Sequence, residues 1–165
     1  MKKLLDVLPW ALFVLAMGSL IYLFNSMQAK VEKANHASNI VAMKELEGKV
    51  FHWTYPSANG DQSGVFHALI KDRRLFFECV EGKMKGISAS VNPQFSKIAK
   101  GIYFLSWQTP MGGEDSIVAN FNTKEIHAHV KATGRFWGMK GSITCNGLTE
   151  KCDAPNIKNL KMVME

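Results

Sequence analysis

Apolar and polar positions divide the chain into three regimes. Residues 7–24 read VLPWALFVLAMGSLIYLF, eighteen positions without a charge, which is near the lower limit for a helix that crosses a bilayer. Residues 26–37 turn polar and suit a juxtamembrane linker. Ser38 or Asn39 then caps a short helix, with Ile40, Val41, Met43 and Leu46 as apolar contacts and Gly48 placed to end it. Beyond Gly48 the period becomes two. Phe51, Trp53 and Tyr55 share one face of segment 49–55, and Val50, His52 and Thr54 the other. Further strands are expected at 64–71, 75–81, 84–91, 101–109, 116–122, 125–131 and 135–145, with Gly, Pro or Asn in most of the gaps. Short strands with brief connections exclude a parallel sheet with crossover helices and predict an antiparallel meander. Closure into a barrel removes its edges, and about eight strands enclose packed side chains or one small ligand. The expected fold is mainly β: a single antiparallel barrel of eight or so strands at 48–165, a linker and short cap helix at 26–47, and a signal anchor or signal peptide at 1–25.

The flanks of the apolar run bear on place. Lys2 and Lys3 favour a cytoplasmic N-terminus with the rest outside, and Lys30 and Lys33 weaken that asymmetry. A cleaved signal peptide is the rival, with Met27-Gln28-Ala29 a poor cleavage pattern. Either way the barrel is exported: anchored in the inner membrane facing the periplasm or extracytoplasmic side, or secreted to the periplasm. Cysteine usage agrees, because Cys145 and Cys152 bracket a short polar loop suited to a disulfide. Cys79 shares a face with Leu75 and Phe77 and reads as a small buried hydrophobe.

Composition narrows the function classes. With 165 residues, 47% of them hydrophobic, the chain has room for one folded domain. The net charge of +6 is spread along the sequence. Its one compact cluster is Lys71, Arg73 and Arg74, with Lys83 and Lys85 nearby, which suits anionic headgroups. No nucleic-acid motif accompanies it, so no nucleic-acid partner is expected. No nucleophile elbow, glycine-rich phosphate loop or paired acids occur, and no cofactor is expected.

Three sets of side chains could carry chemistry. Phe51, Trp53, Tyr55, Phe66, Tyr103, Leu105 and Trp107 recur at period two; they form either plain core or the wall of a lumen pocket with polar tips. His52 falls opposite His67 across a hairpin centred on Asn59 and Gly60, close enough to share a metal, whereas His127 and His129 lie with Glu125 and Lys131 on a solvated face. A lumen lined by Trp53 and Tyr55 places His52 and His67 outside. Glu78 shares the face of Phe76 and Val80 and is expected to point outward.

The run Gly101-Ile102-Tyr103-Phe104-Leu105-Ser106-Trp107, followed by Pro110, Gly112 and Asn120-Phe121, resembles a signature of small lipocalin-like (calycin) barrels. That group includes phenolic acid decarboxylases and MoaF-like proteins, which are similar to molybdenum cofactor biosynthesis protein F. Trp53-Thr54-Tyr55 ahead of Asn59-Gly60 resembles the decarboxylases' first hairpin, and the likeness covers 49–130. In the decarboxylases two tyrosines, an arginine and a glutamate act on the substrate. The tyrosine positions are here Trp53 and Tyr55, the glutamate position is Thr109, and the arginine position is Gly86 or Ile87, so both charged members are missing. The resemblance therefore implies binding rather than catalysis. The expected ligand is small and apolar or aromatic, held by Trp53, Tyr55, Phe66, Tyr103 and Trp107, with Tyr55, Thr109 and Asn120 as polar contacts. The alternatives are a lyase or isomerase using Tyr55 or Tyr103, and a structural or accessory protein with a filled barrel.

Overall fold

The computed structural model describes the backbone of residues 2–57, 63–109, 113–132 and 134–157, with their side chains except those of 2–16 and 132. The chain forms two compact units, Met1–Ala37 and Ser38–Glu165. Helix α1 runs unbroken over Lys2–Leu46. The expected linker and separate cap helix are thus one helix, because 26–37 contains neither Gly nor Pro and its side chains extend a helix without strain. Gly48 ends it as expected, in the left-handed region at φ 72°. In the first unit Met17, Leu20, Ile21, Tyr22, Leu23, Phe24, Met27 and Val31 are all exposed. Among the described residues no helix is long and apolar enough to cross a membrane; residues 7–16 of the expected anchor lie outside the described side chains.

Nine antiparallel strands form one sheet in the second unit: β1 (Val50–Tyr55), β2 (Gly64–Lys71), β3 (Arg74–Gly82), β4 (Ser88–Val91), β5 (Gln94–Ala99), β6 (Ile102–Gln108), β7 (Glu114–Asn120), β8 (Glu125–Ala132) and β9 (Arg135–Asn146). Their order is β4-β3-β2-β1-β9-β8-β7-β6-β5. The expected closed, eight-stranded barrel is instead a curled half-barrel. The pattern 84–91 yields only β4, since 84–87 form a turn, and β5 was not expected at all. No ladder joins the edge strands β4 and β5. They run in the same direction, because nine alternating strands place the first and last parallel, and only Asn92 and Pro93 separate them. The run 88–99 therefore leaves β3 and joins β6 at a proline that has no N–H to donate to a ladder.

Ring contacts measure the curl. Phe77 on β3 lies 6.2 Å from Trp107 on β6, and Phe51 on β1 lies 5.6 Å from Phe121 after β7, although neither pair is on neighbouring strands. Inward positions hold the core, among them Phe51, Trp53, Tyr55, Phe66, Ala68, Ile70, Leu105, Ile117, Ile126 and Ile143. The last turns of α1 add Ala42 and Leu46. They also cover edge strand β5. The Ser38 hydroxyl donates to the Lys97 carbonyl and accepts from the Lys97 N–H, each at 3.0 Å, satisfying backbone groups that an edge leaves open. Glu45 pairs with Lys97 and accepts from the Tyr103 hydroxyl at 2.6 Å.

After β9 the chain straps the outer face. The expected Cys145–Cys152 disulfide is present. His52 Nε2 on β1 lies 2.7 Å from the Asp153 carbonyl oxygen, and the Asn156 N–H donates to Glu78 on β3 at 2.9 Å. Cys79 is buried, as expected, and its thiol donates to the Glu81 carbonyl.

Candidate functional site

Alternation along β1, β2 and β6 turns Trp53, Tyr55, Phe66 and Trp107 inward, where all four are buried. At the end of the sheet away from Gly48 they form a continuous row of rings. Trp53 stacks on Phe66 at 5.2 Å, Tyr55 meets Phe66 edge-on at 5.8 Å, Phe66 lies 6.5 Å from Phe77, and Phe77 reaches Trp107. Of the strand connections at this end, 83–87 is described, whereas 58–62, 110–112 and 133 lie outside the described residues.

From Trp107 the register carries the row across three more strands: Trp107 opposes Asp115, Asp115 opposes Val130, and Val130 opposes Trp137. Directly opposed residues share a face with Cβ atoms ~5 Å apart, so one carboxylate and a third indole join the aromatic girdle. Asp115 shares the face of Ile117 and Ala119, both buried. Gly141 lets β1 pack closely on β9: a Cβ there would sit 2.2 Å from the Thr54 carbonyl oxygen and 2.7 Å from the Tyr55 ring.

Three polar atoms of this girdle are buried and unpaired. Trp53 Nε1, Trp137 Nε1 and Asp115 Oδ1 have no hydrogen-bond partner among the described residues, and each such group costs about 1–3 kcal/mol. Burial pushes the Asp115 carboxyl up to about 6. The Tyr55 phenol is raised by burial first and by the Asp115 charge second, with the Trp53 indole working the other way. Asp115 can therefore hold or release a proton near neutrality, while Tyr55 stays neutral.

The other sequence-derived residues lie elsewhere. Tyr103 is buried near the α1 terminus with its hydroxyl bound to Glu45, and burial followed by that bond raises it. Thr109 accepts from the Gly113 N–H at 2.9 Å and so serves the β6–β7 connection. Asn120 accepts from the N–H groups of Asn122 and Thr123, closing the β7–β8 turn. Tyr103 still connects to the girdle through rings, lying 5.8 Å from Phe121, which meets Phe51, which stacks on Trp53 at 5.5 Å. Gly86 occupies a turn at φ 88°, with Ile87 exposed beside it. Asp115 and Trp137 were missed. Their signal was parity with Ile117 and Ala119 on one strand, and with Ile143 on the other.

His52 and His67 oppose each other as expected, on the outer face, with rings stacked 3.6 Å apart and 5° from parallel. Parallel rings direct their in-plane lone pairs side by side rather than toward one ion. Among the described residues no group of three or more His, Cys, Asp and Glu could hold a metal. Burial, followed by His52, lowers His67, opposed by Glu78, Asp153 and Glu81. Glu78 points outward as expected, and His127, His129 and Lys131 are exposed.

The MoaF-like family profile matches residues 48–144 of this chain. A crystal structure of a candidate beta-lactamase from Burkholderia vietnamiensis is similar, with a TM-score of 0.53 and 17% identity over 61% of this chain and 95% of that chain. At that identity the likeness is one of fold. Comparison with curated proteins gives no match.

Proposed function

The chain belongs to the MoaF-like family, and from that premise we propose that it binds a small aromatic ligand with polar substituents in the curl of its sheet. The observation that carries this reading is the set of unpaired buried atoms Trp53 Nε1, Trp137 Nε1 and Asp115 Oδ1 within one girdle of rings. A ligand that makes these hydrogen bonds offsets the cost of leaving the atoms unpaired. Trp53, Tyr55, Phe66 and Trp107 supply the walls. The reading also places the domain outside the cytoplasm, tethered through the apolar segment of α1, with the Cys145–Cys152 bridge as its support.

Native mass spectrometry of the full chain, made in an oxidising compartment, tests the binding. A small organic mass lost on denaturation is expected, as is quenching of tryptophan fluorescence on titration with indole or p-cresol. A bare chain with no fluorescence response overturns the reading in favour of a filled sheet. A second reading has one specific support, the Asp115 carboxyl titrating near 6 beside Tyr55. Proton transfer to an aromatic substrate then makes the protein a lyase or isomerase. Incubation with a hydroxycinnamic acid tests it, and an unchanged ultraviolet spectrum eliminates that reaction.

A further inference from the structure

The charge inside the girdle narrows the ligand further. Asp115 faces the lumen from β7 with one oxygen buried and unpaired, and the described ion pairs, Glu45–Lys97 and Glu125–Lys140, engage other carboxylates. Its charge acts on the Tyr55 phenol. Above about pH 6 Asp115 is thus a partly buried anion with no cation beside it among the described residues, an arrangement that proteins seldom leave uncompensated. Its neighbours are aromatic: Trp107 directly opposite, Trp137 two strands away in the same row, and Tyr55 close enough to feel its charge. Indole faces attract cations most strongly of the aromatic side chains, and more strongly where water is scarce.

The same arrangement disfavours anions. Burial alone shifts Asp115, with no cation acting on it among the described residues, so nothing described there answers a ligand carboxylate with positive charge. Resting on the lumen-binding reading above, the geometry points to a small organic cation, an aromatic amine or quaternary ammonium, as the ligand class, with Asp115 as counter-ion and Tyr55, Trp107 and Trp137 as its aromatic surround. The indole N–H groups remain available to an acceptor elsewhere on the ligand.

Two probes of one shape separate charge from shape: phenyltrimethylammonium and its uncharged isostere tert-butylbenzene, each titrated against the full chain by tryptophan fluorescence. At about pH 7.5 the cation is expected to bind roughly tenfold more tightly, and at about pH 5, where Asp115 takes up a proton, that advantage should shrink toward parity. Asp115→Asn should abolish the advantage at both pH values, bringing the two probes to parity. The wild-type pH comparison serves alone if the variant does not fold. Equal binding of the two probes to wild type at the higher pH overturns the cation assignment and leaves lumen binding standing. Failure of both probes to bind overturns the two readings together.

Discussion

A carboxyl group that burial pushes up to about 6 holds its proton more firmly in the folded chain than in the unfolded one, where it titrates near 3.8. Between those values the folded state carries more bound protons, so Asp115 contributes stability that is complete below the lower value and is lost as pH rises through the upper one. Solvent reaches part of the group, which reduces the effect to about 1–2 kcal/mol. Asp115→Asn should therefore gain stability relative to wild type between about pH 4.5 and 7.5, read from urea denaturation at both values. Comparing the two proteins cancels His67, whose lowered value acts in the opposite sense. An identical pH profile in wild type and variant would contradict the burial of Asp115. The aromatic walls were legible because Trp53, Tyr55 and Trp107 repeat at period two. Asp115 was not, because it follows Gly112, Gly113 and Glu114, a composition that reads as a polar turn and moved the expected strand start to 116. Asn120 misled in the other direction: its place beside Phe121 suggested a lumen contact, but a short amide at a strand end serves the turn backbone instead.

At the scale of elements, the exposed edge β5 is managed by a helix. One hydroxyl, that of Ser38, both donates to and accepts from the Lys97 backbone, so Ser38→Ala should cost about 1–2 kcal/mol. The local signature is faster hydrogen exchange of the Lys97 amide with little change at the central strands, and unchanged exchange there would remove Ser38 from this role. Tyr103, anchored on Glu45, belongs to the same seam. Sequence reasoning found β1, β2, β3, β6, β8 and β9 because each has an apolar face against the core and a turn at its ends. It missed β5 because Phe95 is that strand's one buried apolar side chain while Ile98 is exposed, and Pro93 precedes it. The C-terminal strap rests on another local device. Closing the Cys145–Cys152 loop, with a separation of seven residues, removes unfolded-state entropy worth about 2.5 kcal/mol. Cys145→Ala with Cys152→Ala should lower the urea midpoint accordingly, and an unchanged midpoint would show that the strap is held by His52 and Glu78 alone.

At the scale of the whole molecule, the placement of the two units in the cell rests on what surrounds α1. Leu20, Ile21, Tyr22, Leu23 and Phe24 are consecutive, and each is more than half exposed. Successive helical positions turn by about 100°, so five in a row face every direction, and no single partner groove covers them all. The tether proposed above would cover them from all sides. The disulfide in the second unit adds an independent constraint, since such a bridge persists where the compartment is oxidising. The tether proposed above, with the second unit outside the cytoplasm, has two readouts. The full chain should stay with the membrane pellet after carbonate washing, and Cys145 and Cys152 should resist alkylation until a reductant is added. Leu20→Lys with Leu23→Lys should shift the chain to the soluble fraction, because each buried lysine costs about 2.5–3.5 kcal/mol at a helix centre. A pelleted chain whose two cysteines alkylate at once would keep the anchor and reverse the orientation. A wild-type chain found wholly in the soluble fraction, with its disulfide intact, would replace anchoring by secretion.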